Sequence, residues 1–86
     1  MMWSYDNRRK QWKLASGDWR ATARQTGPHE WYGSIERQHP PHDRRESPNF
    51  AWSFDARAWC EKEILRLMAL EDAFKRDAQQ DPDAYP

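Results

Sequence analysis

Two runs of alternating residues, joined by a short turn, constrain the fold of this chain more than any other feature of its sequence. In residues 19–25 a tryptophan and two alanines alternate with polar residues, and residues 31–37 alternate in the same way. A period of two is typical of a strand with one buried face. Between the runs, the segment Thr26-Gly27-Pro28-His29 favours a turn. The two runs are therefore predicted to form an antiparallel hairpin.

The second half of the chain predicts one long helix. Ser53 and Asp55 are both residue types that cap a helix N-terminus. Apolar residues then recur at helical spacing, and the helix can extend to about Gln79. The apolar stripe consists of Ala56, Trp59, Cys60, Ile64, Leu67, Met68, Leu70 and Phe74.

Shorter segments complete the predicted sheet. Residues 11–15 predict a first strand, and Ser16-Gly17-Asp18 predicts the turn after it, because glycine accepts the positive φ of tight hairpins. Residues 38–49 contain three prolines and no apolar anchor, which predicts a long loop. Phe50 and Trp52 then alternate in a short final strand.

Together these elements predict a single α+β domain over residues 1–86. We expect an antiparallel three- to four-stranded meander packed on one long C-terminal helix, because consecutive hairpins make a meander the simplest topology. A chain of 86 residues is long enough for one domain and too short for two. The expected segments are a lead-in at 1–9, the sheet at 10–54, the helix at 54–79 and a frayed tail at 80–86.

Aromatic residues dominate the predicted core. The chain has six tryptophans, few leucines and isoleucines, and no valine. One buried tryptophan can remove roughly 150–250 Å² from water, so a few large rings can replace many aliphatic residues. Most of the tryptophans are therefore expected to fill the core. The predicted core residues are Trp19, Ala21, Trp31, Ile35, Phe50, Trp52, Ala56, Trp59, Ile64 and Leu67.

The lengths of the elements predict that the helix extends beyond the sheet. A helix of about 25 residues is roughly 38 Å long, whereas strands of about seven residues span only roughly 23 Å. The far end of the helix still carries Leu70 and Phe74, which need cover. That cover comes either from Trp3 and Tyr5 in residues 1–9 or from another chain, and the second alternative predicts a homodimer formed through the overhanging helix.

Charge and cysteine content narrow the class of protein. Nine of the 14 basic residues lie in residues 1–50, and eight of the 14 acidic residues lie in residues 51–86. A mildly basic sheet half permits nucleic-acid binding. Cys60 is the only cysteine, which excludes an internal disulfide and fits a reducing compartment. Because no signal-peptide pattern and no run of about 20 apolar residues occurs, a cytoplasmic protein without a membrane partner is expected.

No motif predicts catalysis or a cofactor. His39-Pro40-Pro41-His42-Asp43 brings two imidazoles and a carboxylate together, but zinc sites favour cysteine pairs on rigid elements, so a solvated loop is favoured over a metal site. Cys60 lies in the apolar stripe, where a buried and inert thiol is expected. Glu63 also lies in that stripe, either paired with an arginine of the sheet or as a buried acid with a raised pKa. We therefore expect no enzyme, no metal and no small-molecule substrate.

The polar face of the predicted hairpin is the best candidate for a functional surface. If the helix covers the tryptophan face, this second face meets solvent, and arginines with hydroxyl groups on a twisted sheet can contact phosphates and base edges of DNA or RNA. Arg44 and Arg45 could join from the loop. The candidate nucleic-acid-binding residues are Arg20, Thr22, Arg24 and Tyr32 on this face and Arg8, Arg9, Lys10 and Lys13 at one end of it.

The segment Trp19-Arg20-Ala21-Thr22-Ala23-Arg24 resembles the first strand, of type W-R-A-x-x-R, of the AP2-like three-stranded DNA-binding domain of phage-type integrases. Phe50, followed by Ala56, Ala58 and Trp59, is similar in spacing to the last strand and the helix of that family. The resemblance covers roughly residues 18–62. It implies a sheet that enters the DNA major groove, with Arg20, Thr22 and Arg24 as contacts.

A second function is open from the sequence: a protein-interaction or structural module with no nucleic-acid role. Nucleic-acid binding would weaken steeply with salt, whereas a protein contact would tolerate salt and expose an apolar patch. Exposure of Trp3, Trp12 or Tyr32 would mark such a contact surface.

Overall fold

One antiparallel sheet and one helix make up the part of the chain that the computed structural model describes, which is the backbone of residues 2–79 and the side chains of residues 2–73. Each strand pairs antiparallel with the next, so the sheet is a five-stranded meander followed by a C-terminal helix. This confirms the predicted α+β class, with one strand more than expected. The elements are β1 (Ser4–Asp6), β2 (Gln11–Ser16), β3 (Trp19–Gly27), β4 (Glu30–Arg37), β5 (Arg44–Glu46) and α1 (Ser53–Gln79). The predicted frayed tail at 80–86 lies outside the described residues.

The two edge strands differ from the prediction. Strand β1 lies within the expected lead-in, and β5 lies within the expected loop. Each has only three residues, and β5 consists entirely of charged residues, so neither shows the apolar alternation that marks a strand. The predicted final strand at Phe50 and Trp52 is wrong, because Phe50 forms only an isolated bridge with Trp31.

The segment after β5 continues along the outer edge of β4. The N–H of Gly33 donates to Ser47 Oγ at 2.7 Å, and the N–H of Ser47 donates to the carbonyl oxygen of Gly33 at 2.8 Å. Further along, Trp31 and Phe50 exchange backbone hydrogen bonds of 2.7 and 2.6 Å. Residues 44–50 therefore cover this edge and bring the chain back to the point where α1 begins.

The core lies between α1 and one face of the sheet, and α1 approaches the sheet most closely at Gly33. A Cβ atom on Gly33 would lie 2.6 Å from Cys60 Sγ and 2.9 Å from the carbonyl oxygen of Ala56. Ala23 lies opposite Gly33 in the sheet, so small residues on both strands allow this approach. The buried apolar residues are Leu14, Trp19, Ala21, Ala23, Ile35, Ala56, Cys60, Ile64 and Leu67.

The prediction that most tryptophans fill the core is wrong. Trp19 is only 2% exposed, but Trp52 is 62% exposed. Because α1 lies so close to the sheet, the layer between them holds mainly small and aliphatic side chains, and Trp19 is its one fully buried ring among the described residues. The half-buried rings of the predicted core are Trp31, Phe50 and Trp59, and the half-buried tryptophans outside that prediction are Trp3 and Trp12.

The N-terminal segment covers the first half of α1. Trp3 Nε1 donates to Glu61 Oε1 at 2.9 Å. The Tyr5 ring contacts the Trp12 ring with 4.9 Å between centroids, and the Arg57 guanidinium lies 4.1 Å from the Trp12 centroid. The alternative in which Trp3 and Tyr5 cover the far end of the helix is therefore wrong.

An ion-pair network joins the far part of α1 to the sheet. Arg37 pairs with Glu71 at 2.7 Å and with Asp18 at 3.0 Å, and Asp18 also bonds to His39. The hydrogen bond from His39, and then that from Arg37, lowers the pKa of Asp18 below its usual value. The network therefore ties the β2–β3 turn, the end of β4 and α1 together.

The backbone of α1 continues from Glu71 to Gln79, about two turns past this network. Next to the network, Leu70 is 55% exposed. The side chain of Phe74, expected to need cover, lies outside the described residues. Over the described residues, no helix is apolar for the length that a membrane crossing requires.

Glu63 pairs within the helix. Its carboxylate accepts hydrogen bonds of 2.7 and 3.3 Å from the Arg66 guanidinium. These bonds lower the pKa of Glu63, and the charge of Arg45 in β5 adds to the effect. The predicted raised pKa and the predicted ion pair with a sheet arginine are therefore wrong.

Candidate nucleic-acid interface

The sheet face turned away from α1, called the open face below, is polar. Residues paired in register point to the same side of a sheet, so side chains of neighbouring strands form rows across it. The rows are Asp6, Gln11, Arg24 and Tyr32; then Ser4, Lys13, Thr22, Ser34 and Glu46; then Ala15, Arg20, Glu36 and Arg44. Eight of these residues line a depression of about 220 Å³: Gln11, Arg20, Thr22, Arg24, Tyr32, Ser34, Glu36 and Arg44.

Four predicted contact residues lie together on the open face: Arg20, Thr22 and Arg24 of β3 and Tyr32 of β4. The two arginines are four residues apart on one strand, which places their Cα atoms about 13 Å apart. Lys13 was expected at one end of the domain with the N-terminal cations. It lies instead opposite Thr22, in the middle of the open face.

Three cations of the open face make no ion pair with a described carboxylate. Arg20 Nη1 donates to the carbonyl oxygens of Gly17 at 3.3 Å and of Trp19 at 3.2 Å. Arg24 and Lys13 have no carboxylate oxygen within 4.0 Å among residues 2–73. All three charges are therefore available to an anionic ligand.

Carboxylates limit the positive charge of the open face. Glu46 pairs with Arg44 at 3.1 Å, and Glu36 lies next to a β3 arginine across the β3–β4 ladder. Arg45 was expected to add charge to this face. It pairs in register with the buried Ile35 and therefore lies on the helix side of the sheet, so that prediction is wrong.

A basic turn continues the open face at one end. Arg8, Arg9 and Lys10 lie exposed between β1 and β2 and are called the basic turn below. Asp6 Oδ1 accepts hydrogen bonds from the N–H groups of Arg8 and Arg9 at 3.0 and 3.3 Å, which orders the turn. Gln25 N–H reaches the Lys10 carbonyl oxygen at 3.4 Å, so the turn lies beside the second half of β3.

No protein-family model, curated protein or solved structure matches this chain. The resemblance to the AP2-like integrase domain therefore stays a prediction carried by the residues quoted above. A function for the chain rests on the geometry and charge of its own surfaces.

Within the described side chains, the metal and nucleophile candidates do not form a site. No three potential metal ligands come together there. His39 bonds to Asp18, and His42 Nδ1 lies 3.4 Å from the carbonyl oxygen of Arg37. Burial, followed by the charge of Glu61, raises the pKa of Cys60 to about 12. A thiol with that pKa stays protonated near neutral pH and is a poor nucleophile.

A pocket of about 560 Å³ lies at the opposite end of β3 from the basic turn, between α1 and the loop after β4. Trp19, Leu67, Leu70 and Pro41 supply its apolar lining. Arg37 also lines it, but this guanidinium is already paired with two carboxylates. The pocket therefore suits an apolar group. It is a poor site for a phosphate, because the charge of its guanidinium is already neutralised.

Sequence reasoning missed an exposed aromatic patch at the basic-turn end of the sheet. It consists of Trp52 and Phe54, which are 62% and 69% exposed, and His29, whose ring meets Trp52 edge-on at 5.5 Å. Trp52 was predicted to be a core residue of a strand. Its carbonyl oxygen instead accepts the Ala56 N–H at 3.4 Å at the start of α1. The helix-capping signal at Ser53 was the available clue that Trp52 lies at a helix start.

The three aromatic residues whose exposure was expected to mark a contact surface are not strongly exposed. Trp3 and Trp12 are half-buried against α1 and the N-terminal segment, and Tyr32 is half-buried on the open face. Among the described aromatic residues, Trp52 and Phe54 of the aromatic patch are the most exposed, and Tyr5 is 43% exposed.

Proposed function

We propose that this chain is a non-enzymatic binding module that holds duplex DNA on its open face. The observation that carries the proposal is the set of three cations on this face without a described carboxylate partner, interleaved with hydroxyl groups. Guanidinium, ammonium and hydroxyl groups are the ones that contact phosphates and position a duplex. The residues are Lys13, Arg20 and Arg24 with Thr22, Tyr32 and Ser34.

The width of the three strands that carry the candidate contacts, β2 to β4, favours the DNA major groove. At the usual strand spacing the axes of these strands span about 10 Å, and the major groove of B-DNA is about 12 Å wide. The major groove of A-form RNA is too narrow and deep for side chains to read. The resemblance to the AP2-like integrase domain also implies that this face enters the major groove, with Arg20 and Arg24 among the contacts.

The charges set the expected salt dependence. If the three open-face cations and the three cations of the basic turn all contacted phosphates, the logarithm of the binding constant would fall with a slope of about −5 against the logarithm of salt concentration. Binding would then weaken by about 10³-fold between about 50 and about 200 mM salt. Asp6, Glu36 and Glu46 lie on the same face and reduce the affinity below that of an all-basic surface.

The test is fluorescence anisotropy of labelled mixed-sequence duplex DNA, titrated with protein at several salt concentrations. The variant Arg20→Ala/Arg24→Ala should bind more weakly and lower the salt slope by about 2, because two phosphate contacts are lost. The control variant Lys62→Ala/Arg66→Ala also removes two positive charges, but from the exposed side of α1. It should bind as the unmodified protein does.

Two results would refute the proposal. One is the absence of binding at low salt. The other is an equal loss of affinity in both double variants, since that would reflect net charge and not the open face.

We propose self-association through the exposed face of α1 as a second candidate function. Leu65 on this face is 58% exposed. Residues 62, 65, 69 and 72 share one side of the helix. If two copies pack these helices antiparallel about a two-fold axis between positions 65 and 69, Leu65 faces Ala69 and Lys62 faces Asp72 of the other copy. The face is thus self-complementary in size and in charge.

Light scattering on a size-exclusion column tests this second candidate. The expected mass is that of a dimer, which Lys62→Asp should shift towards the monomer. The exchanged variant Lys62→Asp/Asp72→Lys should restore the dimer, because the ion pairs are re-formed with opposite polarity. A monomeric mass at high protein concentration would exclude this function.

A further inference from the structure

The aromatic patch lies where the open face ends. Tyr32 and Arg24 pair in register at this end of the open face, and β3 and β4 then join through Pro28 and His29. His29 has a φ of 57°, a left-handed conformation, and its ring meets Trp52 edge-on. The turn that joins two strands of the open face therefore places the His29 ring against an indole ring that is 62% exposed.

Positive charge lies beside this patch. A depression of about 430 Å³ is lined by Lys10 of the basic turn together with Gln25, Gly27 and Pro28, directly before His29. Arg8 and Arg9 lie in the same turn as Lys10. The acids of this region are Glu30, whose carboxylate lies next to Gly27 at this depression, and Asp55 in the first turn of α1. The three cations of the basic turn outnumber these two acids.

Aromatic rings beside cations match one ligand chemistry well. Unpaired bases stack on exposed aromatic side chains while lysine and arginine contact the backbone phosphates, and stacking is tolerant of base identity. A protein partner would use the aromatic rings, but the neighbouring cations favour a polyanion.

We infer that Trp52, with the His29 ring against it and the exposed Phe54 two residues further along the chain, stacks an unpaired base of a strand that leaves a duplex held on the open face. The inference rests on the proposed function and narrows its substrate to a junction between duplex and single-stranded DNA. Lys10 and the arginines of the basic turn contact the phosphates of the departing strand.

The test compares three labelled probes by fluorescence anisotropy: a blunt duplex, the same duplex with a short single-stranded overhang, and the overhang duplex with a fluorescent adenine analogue at its first unpaired position. The overhang should tighten binding by about 5- to 150-fold, the range of one stacked base. The analogue should lose fluorescence on binding because stacking quenches it.

Trp52→Ala should remove the gain from the overhang and the quenching, and it should leave blunt-duplex binding unchanged. Trp52→Phe should keep part of both effects because a ring remains. Leu70→Ala is the matched control, since Leu70 is 55% exposed at the opposite end of the sheet, and it should change neither effect.

The outcomes separate the two proposals. Blunt-duplex binding that depends on Arg20 and Arg24, without any preference for the overhang, would overturn this inference and leave the proposed function standing. A preference for the overhang that survives Trp52→Ala would also overturn it. Binding of neither duplex would refute the proposed function and this inference together.

Discussion

Gly33→Ala is predicted to destabilise the protein, although alanine ordinarily stabilises a strand relative to glycine by about 0.5–1 kcal/mol. The added Cβ would lie 2.6 Å from Cys60 Sγ, 2.9 Å from the carbonyl oxygen of Ala56 and 3.4 Å from Trp59 Cε3. The oxygen belongs to the helix backbone, so relief requires α1 to move off the sheet. Overpacking of this kind costs about 1–3 kcal/mol. We therefore expect the free energy of unfolding to fall by about 2 kcal/mol, a change of about 30-fold in the folded-to-unfolded ratio.

Urea denaturation followed by circular dichroism and by tryptophan fluorescence measures this change. Gly27→Ala is the control, because the nearest atom to its Cβ is the Glu30 carboxylate at 3.0 Å, the end of an exposed side chain that can move. In a Cys60→Ala background the cost of Gly33→Ala should fall, since the thiol contact is gone and the contacts with Ala56 and Trp59 remain. A Gly33→Ala variant as stable as the unmodified protein, or more stable, would refute the proposed close contact between helix and sheet.

Three further predictions concern single side chains. Cys60, with a pKa of about 12 and no exposed surface, should react with a thiol reagent near pH 8 only when the protein unfolds, and fast labelling of the native protein would contradict its burial. Because the pKa of Asp18 is lowered below 3.8, its charged form stabilises the folded state above about pH 4, and this contribution is lost as pH falls through the folded-state pKa. The stability difference between the unmodified protein and Asp18→Asn should therefore shrink between about pH 5 and pH 2 in acid titrations followed by circular dichroism, and a pH-independent difference would count against the ion-pair network. Trp3→Phe should lower the free energy of unfolding by about 1–2 kcal/mol, because it removes the hydrogen bond to the Glu61 carboxylate, and an unchanged urea midpoint would show that this bond adds nothing.

The central hairpin and the helix could be predicted from the sequence because each carries a long periodic signal. Residues 19–25 and 31–37 alternate over seven positions, and the apolar stripe of α1 begins after a capping residue. The edge strands could not be predicted in this way. Ser4–Asp6 and Arg44–Glu46 have three residues each, which is too short for a periodic pattern. They are strands because they pair with β2 and β4.

The candidate site also contains residues that a periodic pattern could place and residues that it could not. Period two alone places Arg20, Thr22 and Arg24 on one face once the opposite face is buried. The position of Lys13 required the register between β2 and β3, and the pairing of Arg44 required β5. The exposure of Trp52 follows from its position at the start of α1, outside the strand in which it was predicted. The alternation of Phe50 and Trp52 alone could not distinguish these two positions.

The meander tapers from its centre to its edges, and this shape affects how the protein behaves at high concentration. The central strands have nine and eight residues, whereas both outermost strands have three. An exposed strand edge is a template for another chain to add to, and short or charged edges blunt it. Every residue of β5 is charged, and Ser47 and Phe50 occupy part of the remaining β4 edge. A sheet rich in aromatic residues is thereby protected from the edge-to-edge stacking that leads to cross-β fibrils.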